Sequence, residues 1–159
     1  MNQKAWLALL TVGILSGGIT TSAQRLYPVE GPLAAHSPAP VYTVNKIAIS
    51  GIESLSKKIS VDLANGEVAS GIWTIEKRAS SADTQMPGTA ASYPPQPNLA
   101  FAWDTVYGQG FYVARVLGGE IGQAVLKGNK GTIIQLEFLY RNRTFGVAVD
   151  NKGNIYKLI

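Results

Sequence analysis

The chain has 159 residues, 46% hydrophobic and only 15% charged, with a formal net charge of +4, one histidine and no cysteine. A length near 150 residues fits a single domain. The absent cysteines exclude disulfides, thiolate metal sites and cysteine nucleophiles, and one histidine excludes a multi-histidine metal centre.

Residues 1–23 read as a secretory signal peptide. Lys4 supplies a positive n-region, residues 5–15 an apolar run, and Thr21-Ser22-Ala23 the small residues of a cleavage site. That run makes a helix of about 16 Å, too short for a hydrocarbon core of about 30 Å. No later window forms a transmembrane helix, so the mature chain is expected to be periplasmic or secreted after cleavage near Ala23. No cysteine follows the run, which leaves no residue for amino-terminal lipid attachment.

All eight prolines fall at positions 28, 32, 38 and 40 or at 87, 94, 95 and 97. Proline lacks the ladder donor and avoids central strands. Residues 24–40 therefore read as a proline-rich extended leader, residues 77–98 as a long polar loop, and 41–159 as one β domain. His36 lies in the leader, with no predicted core to orient it for catalysis. Residues 41–50 are rich in Val, Ile, Thr and Tyr. Ile59, Val61 and Leu63 alternate with Ser60 and Asp62 as in a half-buried strand. Asn65-Gly66 then signals a type I′ hairpin returning over residues 67–76.

Leu99, Ala102, Trp103, Val106 and Tyr107 fall on one helical face, with Asn98 at the N-cap and Gly108 beyond the C-terminus. A strand over 99–107 is the alternative. Residues 111–117, 132–140, 144–150 and 155–159 read as strands, and 151–154 as a turn. The fold class is thus mainly β, a small antiparallel sandwich or closed barrel with one short helix at about 98–107.

The chemical motifs fail on inspection. Seven glycines between positions 108 and 131 match neither dinucleotide nor phosphate-loop spacing and read as turns and bulges. Residues 150–154 lack the later acidic ligands of a calcium loop. Asn142-Arg143-Thr144 is a glycosylation sequon in form. No catalytic residue, metal site or cofactor is implied. Glu67, Glu76, Asp104, Glu120 and Glu137 are the acids available to a small carboxylate-based hydrolase, the alternative function, which needs two of them across a cleft. Positive charge gathers near the carboxyl end, at Lys127, Lys130, Arg141, Arg143, Lys152 and Lys157, and attracts anionic glycans or head groups. It forms no basic stripe, so nucleic acid is not an expected partner. Trp73, Trp103, Tyr107, Phe111 and Tyr112 exceed ordinary packing needs and are the candidate ligand-binding residues. The expected function is an exported, non-enzymatic envelope protein whose β domain binds a small apolar or glycan-type ligand or another envelope component.

Four stretches carry a resemblance: Arg25-Leu26-Tyr27-Pro28-Val29-Glu30-Gly31-Pro32-Leu33; Asn65-Gly66-Glu67-Val68; Trp103-Asp104-x-Val106-Tyr107-Gly108; and Gly146-Val147-Ala148-Val149-Asp150-Asn151-Lys152-Gly153-Asn154-Ile155-Tyr156-Lys157. Together they resemble a family of small uncharacterised exported proteins of Gram-negative bacteria, over nearly the whole mature chain. Some relatives look like lipoproteins, whereas this chain lacks the cysteine. The resemblance implies location and no activity.

Overall fold

The computed structural model describes residues 24–45, 58–78, 98–141 and 145–159. Eight antiparallel strands follow one another around a closed barrel. They are β1 (Gln24–Glu30), β2 (Tyr42–Asn45), β3 (Lys58–Asp62), β4 (Val68–Lys77), β5 (Glu120–Gly128), β6 (Ile133–Leu139), β7 (Gly146–Asp150) and β8 (Ile155–Leu158). Each pairs with its sequence neighbour, and β1 closes the ring on β8 with Leu26 opposite Leu158. The expected barrel is therefore present, and the sandwich is not.

Side-chain alternation fills the lumen. Leu26, Val61, Leu126, Ile134, Leu136, Phe138 and Leu158 are fully buried inside, with Trp73, Tyr42 and Tyr156 among them. An eight-stranded barrel is just wide enough for such side chains. Four inward positions carry no side chain: Gly71, Gly122, Gly128 and Gly146. A Cβ on Gly122 would lie 2.1 Å from Cζ of Phe138, and one on Gly128 would lie 2.0 Å from Oε1 of Glu67.

Among the described residues one α-helix, α1 (Leu99–Tyr107), lies outside the barrel against β7 and β8. Asn98 caps it, its Oδ1 accepting from the Phe101 amide at 2.7 Å, and Gly108 ends it with φ 106°. Ala102 and Trp103 pack there with Val116, Ile121, Val147, Val149 and Ile155 in a second core. Burying Trp103 completely contributes about 5 kcal/mol of transfer free energy.

Several local readings change. Residues 24–30 are extended as expected, but they form a barrel strand rather than a leader outside the domain. Pro28 is tolerated because the β1–β8 register slips between it and Glu30. Pro32–Ala35 then makes a 3₁₀ turn. Residues 111–117 are not a strand: Tyr112–Val116 is one π-helical turn, closed by the Leu117 amide on the Tyr112 carbonyl at 3.1 Å. Phe111, which opens this turn, stacks on Trp103 with centroids 5.7 Å apart. Strand β5, whose glycines read as turns, was hidden by Gly122 and Gly128. Residues 1–23, most of the 77–98 loop and the sequon at 142–144 lie outside the described residues.

Candidate functional site

Three hairpins at one end of the barrel share a single design: residues 63–67, 128–132 and 150–154. In each, the fourth-position amide donates to the first-position carbonyl, at 3.0, 3.3 and 3.2 Å. The first-position amide donates to the fifth-position carbonyl, at 2.8, 2.7 and 3.1 Å. The fourth residue is Gly66, Gly131 or Gly153, with φ of 71°, 93° and 85°. Each loop is thus one residue longer than the type I′ turn that Asn65-Gly66 signals, and ends in a left-handed glycine.

Asparagines join neighbouring turns. Asn129 Oδ1 accepts from the Val68 amide at 3.2 Å, and Asn151 Oδ1 from the Ile133 amide at 3.0 Å. Carboxylates satisfy the turns from within. Asp150 Oδ1 accepts from the Lys152 and Asn154 amides at 2.8 and 2.9 Å. The equivalent amides of the 128–132 turn, those of Lys130 and Thr132, donate to Glu67 Oε1 at 3.0 and 2.9 Å. Glu67 reaches across from the adjacent hairpin into the space an aspartate at position 128 would fill. Burial alone would raise its pKa. Hydrogen bonds from the Thr132 hydroxyl and amide, the Asn65 side chain and the Lys130 amide outweigh that and hold it at about 2.

This collar surrounds a cavity of about 290 Å³ at the barrel mouth. Leu33, Leu63, Pro32, Pro40 and the rings of Tyr42 and Tyr156 give it an apolar side. Asn65, Thr132, Asp150, Lys152 and Asn154 give it a polar one. The tyrosine rings are tilted at 48° with centroids 5.9 Å apart. Tyr156 donates to Asp150 Oδ2 at 2.7 Å, and Asn154 Nδ2 donates to the same oxygen at 2.8 Å. Asn154 Oδ1 in turn accepts from the Leu33 amide at 2.8 Å, which pins the 3₁₀ turn beside the opening. Burial, then the Asp150 carboxylate, push the Tyr156 hydroxyl far above its ordinary pKa; the same causes raise that of Tyr42. Neither phenol serves as a base near neutrality. Both Asp150 oxygens are occupied, Oδ1 by its own turn and Oδ2 by Tyr156 and Asn154.

The five candidate binding residues do not converge on this cavity. Trp73 lies inside the barrel, edge-on to Phe138 at 5.6 Å. Trp103, Tyr107 and Phe111 stack on one another outside it, with centroids 4.8–5.7 Å apart. Tyr112 is half-buried in the same outer cluster, its amide donating to Asp104 Oδ1 at 2.9 Å. Trp103 Nε1 donates to Glu137 Oε2 at 2.9 Å, and Arg78 donates to the other oxygen of this buried carboxylate. Tyr107 exchanges hydrogen bonds with the backbone of Gly146, both at 3.1 Å.

The candidate acids do not gather at the mouth either. Glu67 serves the collar and Glu137 the outer core. Asp104 caps the π-helical turn, and Glu120 lies 3.7 Å from Arg141. Glu76 shares Arg78 with Glu137, 3.8 Å from the guanidinium. None of the five lines the mouth. Among the described residues, no group of three His, Asp or Glu side chains is placed to hold a metal ion. Sequence reasoning passed over Tyr42, Asp150, Asn154 and Tyr156. The available signal was the repeated Asn-Lys-Gly at 129–131 and 151–153, which marks two like turns at one barrel end. Comparison with protein-family models, curated proteins and solved structures returns no match to this chain.

Proposed function

We propose that this chain is an exported, non-enzymatic binding protein of the cell envelope, and that the barrel mouth takes a small glycan-type unit. The mouth itself carries the reading: a cavity of about 290 Å³ with two tyrosine rings on one side and fixed polar groups on the other. Its size is at the lower end of ligand cavities, about 300–1,000 Å³. A sugar ring offers an apolar C–H face to Tyr42 and hydroxyls to Asn65 and Lys152. The packed lumen argues for this over an acyl chain, because Leu126, Leu136, Phe138 and Trp73 occupy the space a tail would need. The outer face of the strands is mixed, with Asp62, Ser70, Thr74, Lys127 and Gln135 exposed beside Val68, Ile72, Val125 and Ile133. No helix among the described residues is long and apolar enough to cross a membrane. Export rests on the signal-like residues 1–23.

NMR titration of the labelled chain with glucose, an N-acetylglucosamine disaccharide and decanoate tests the reading. Saturable shifts at Tyr42, Lys152 and Asn154 with a sugar, weakened in Tyr42→Ala, are expected. If no sugar moves these amides, or if decanoate alone does so, the glycan reading fails.

A further inference from the structure

A second recess, of about 460 Å³, opens on the barrel exterior away from the mouth. Its walls bring together three cations from separate elements: Lys77 at the end of β4, Arg115 in the π-helical turn and Arg141 just beyond β6. Its floor is Leu139 with Gly118 and Gly119, two residues without side chains.

The charge in this recess is unbalanced. Glu120 is its carboxylate and stands 3.7 Å from Arg141. Among the described residues, Lys77 and Arg115 have no carboxylate within ion-pair distance. Among the described residues the recess thus holds three cations against one carboxylate, Glu120, which also stands opposite Lys77 in the β4–β5 ladder.

The frame beneath them is held. The Arg78 amide donates to the Gly119 carbonyl at 3.0 Å, and the Gly118 amide donates to the Arg78 carbonyl at 3.1 Å. These bonds fasten the glycine turn to the end of β4. Gly118 has φ 73°, a backbone conformation that excludes most side chains and keeps the floor open. The Tyr140 amide donates to the Glu120 carbonyl at 3.1 Å, which fixes the β6 end beside the same floor. Arginine and lysine around a recess favour an oxyanion, arginine through a two-pronged donor and lysine as a compact point charge.

We propose that this recess is an anion site that takes an anionic phosphate group. The group arrives either on a soluble phosphorylated molecule or on the headgroup of an anionic phospholipid. The site is separate from the mouth, and neither reading depends on the other.

Two arms test it with the full chain. In the first, the labelled chain is titrated with inorganic phosphate and followed by NMR. Saturable shifts at Lys77, Arg115, Gly118 and Gly119 are expected, and the double variant Lys77→Gln/Arg115→Gln should bind at least about tenfold more weakly. Lys127→Gln, a cation elsewhere on the exposed barrel surface, should bind within about twofold of the parent. In the second arm, vesicles of phosphatidylcholine are compared with vesicles containing phosphatidylglycerol. Capture that requires phosphatidylglycerol, and that the double variant loses, assigns the phosphate to a lipid headgroup. Phosphate binding without such capture assigns it to a soluble molecule. The proposal is overturned if phosphate leaves those four amides unmoved, or if Lys127→Gln weakens binding as much as the double variant. All substituted side chains lie at the surface, so the melting temperatures should agree with the parent, confirming that the variants are folded.

Discussion

Glu67 standing in for an aspartate at position 128 leads to a swap experiment. Glu67→Ala removes the acceptor for the Thr132 amide and hydroxyl, at 2.9 and 2.7 Å, and for the Lys130 amide. Thr132 is 3% exposed, so its two donors lose their partner in a place water barely reaches. Lys130 is exposed, and water replaces its bond. Unmet buried donors cost about 1–3 kcal/mol each, and a freely turning hydroxyl recovers part of that, so Glu67→Ala should destabilise by about 2–4 kcal/mol. Gly128→Asp alone should also be costly, since its Cβ would lie 2.0 Å from Glu67 Oε1 and bring a second carboxylate against the first. Combined with Glu67→Ala, the same change should turn favourable. The introduced carboxylate would then reproduce the arrangement seen at Asp150, whose side chain satisfies the same two positions of its own turn. The double variant should recover about 1–2 kcal/mol relative to Glu67→Ala. Denaturant unfolding at neutral pH, followed by tryptophan fluorescence, measures all four corners of the cycle. Gly128→Asp having the same effect in both backgrounds would refute the reasoning.

The depressed pKa of Glu67 makes acid stability a second test. Its value falls from the ordinary 4.5 to about 2, so its stabilisation is complete above pH 4.5 and disappears as pH drops towards 2. The stability gap between the parent and Glu67→Gln should therefore shrink across that window; a gap that stays constant in denaturant titrations from pH 6 to pH 2 contradicts the assignment. Gly122→Ala should cost about 1–3 kcal/mol, because Phe138 lies 2.1 Å from the added methyl and is held from its other side by Trp73. Phe138→Leu in the same chain should return part of that loss, and a double variant no better than the single would sink the packing argument.

The β character, the first hairpin and α1 with both its caps were legible because they rest on local rules: alternation, an Asn-Gly turn, and a helical stripe between Asn98 and Gly108. Strand β5 was not legible. Its glycines read as punctuation, and only the fold reveals that Phe138 and Glu67 occupy their missing side chains. Residues 112–116 carry a strand-like composition, yet they form a π-helical turn whose first amide donates to Asp104 in α1. The aromatic surplus was visible, but its use was not: the rings split between lumen and helix interface, and the mouth depends instead on Tyr42 and Tyr156, from strands 114 positions apart. Such a meeting is a property of the closed ring and leaves no mark at short range. The three turns came nearer to being readable, since Asn-Lys-Gly occurs twice at like positions.

Closure of β1 on β8 has a kinetic consequence. Leu26 and Leu158 stand 132 positions apart, so the β1–β8 ladder joins the contacts most distant along the chain and is expected to close last. Pairings of that span are the slow ones, because the entropy of the whole intervening loop is lost before they form. Until then the sheet is an open ribbon with two unsatisfied borders, each able to recruit a strand from another molecule. The interval between ribbon and ring is therefore when the chain is most exposed to misassembly. Substitutions that loosen the β1–β8 seam, such as Leu26→Ala, should reveal themselves first as lost yield during refolding at high protein concentration.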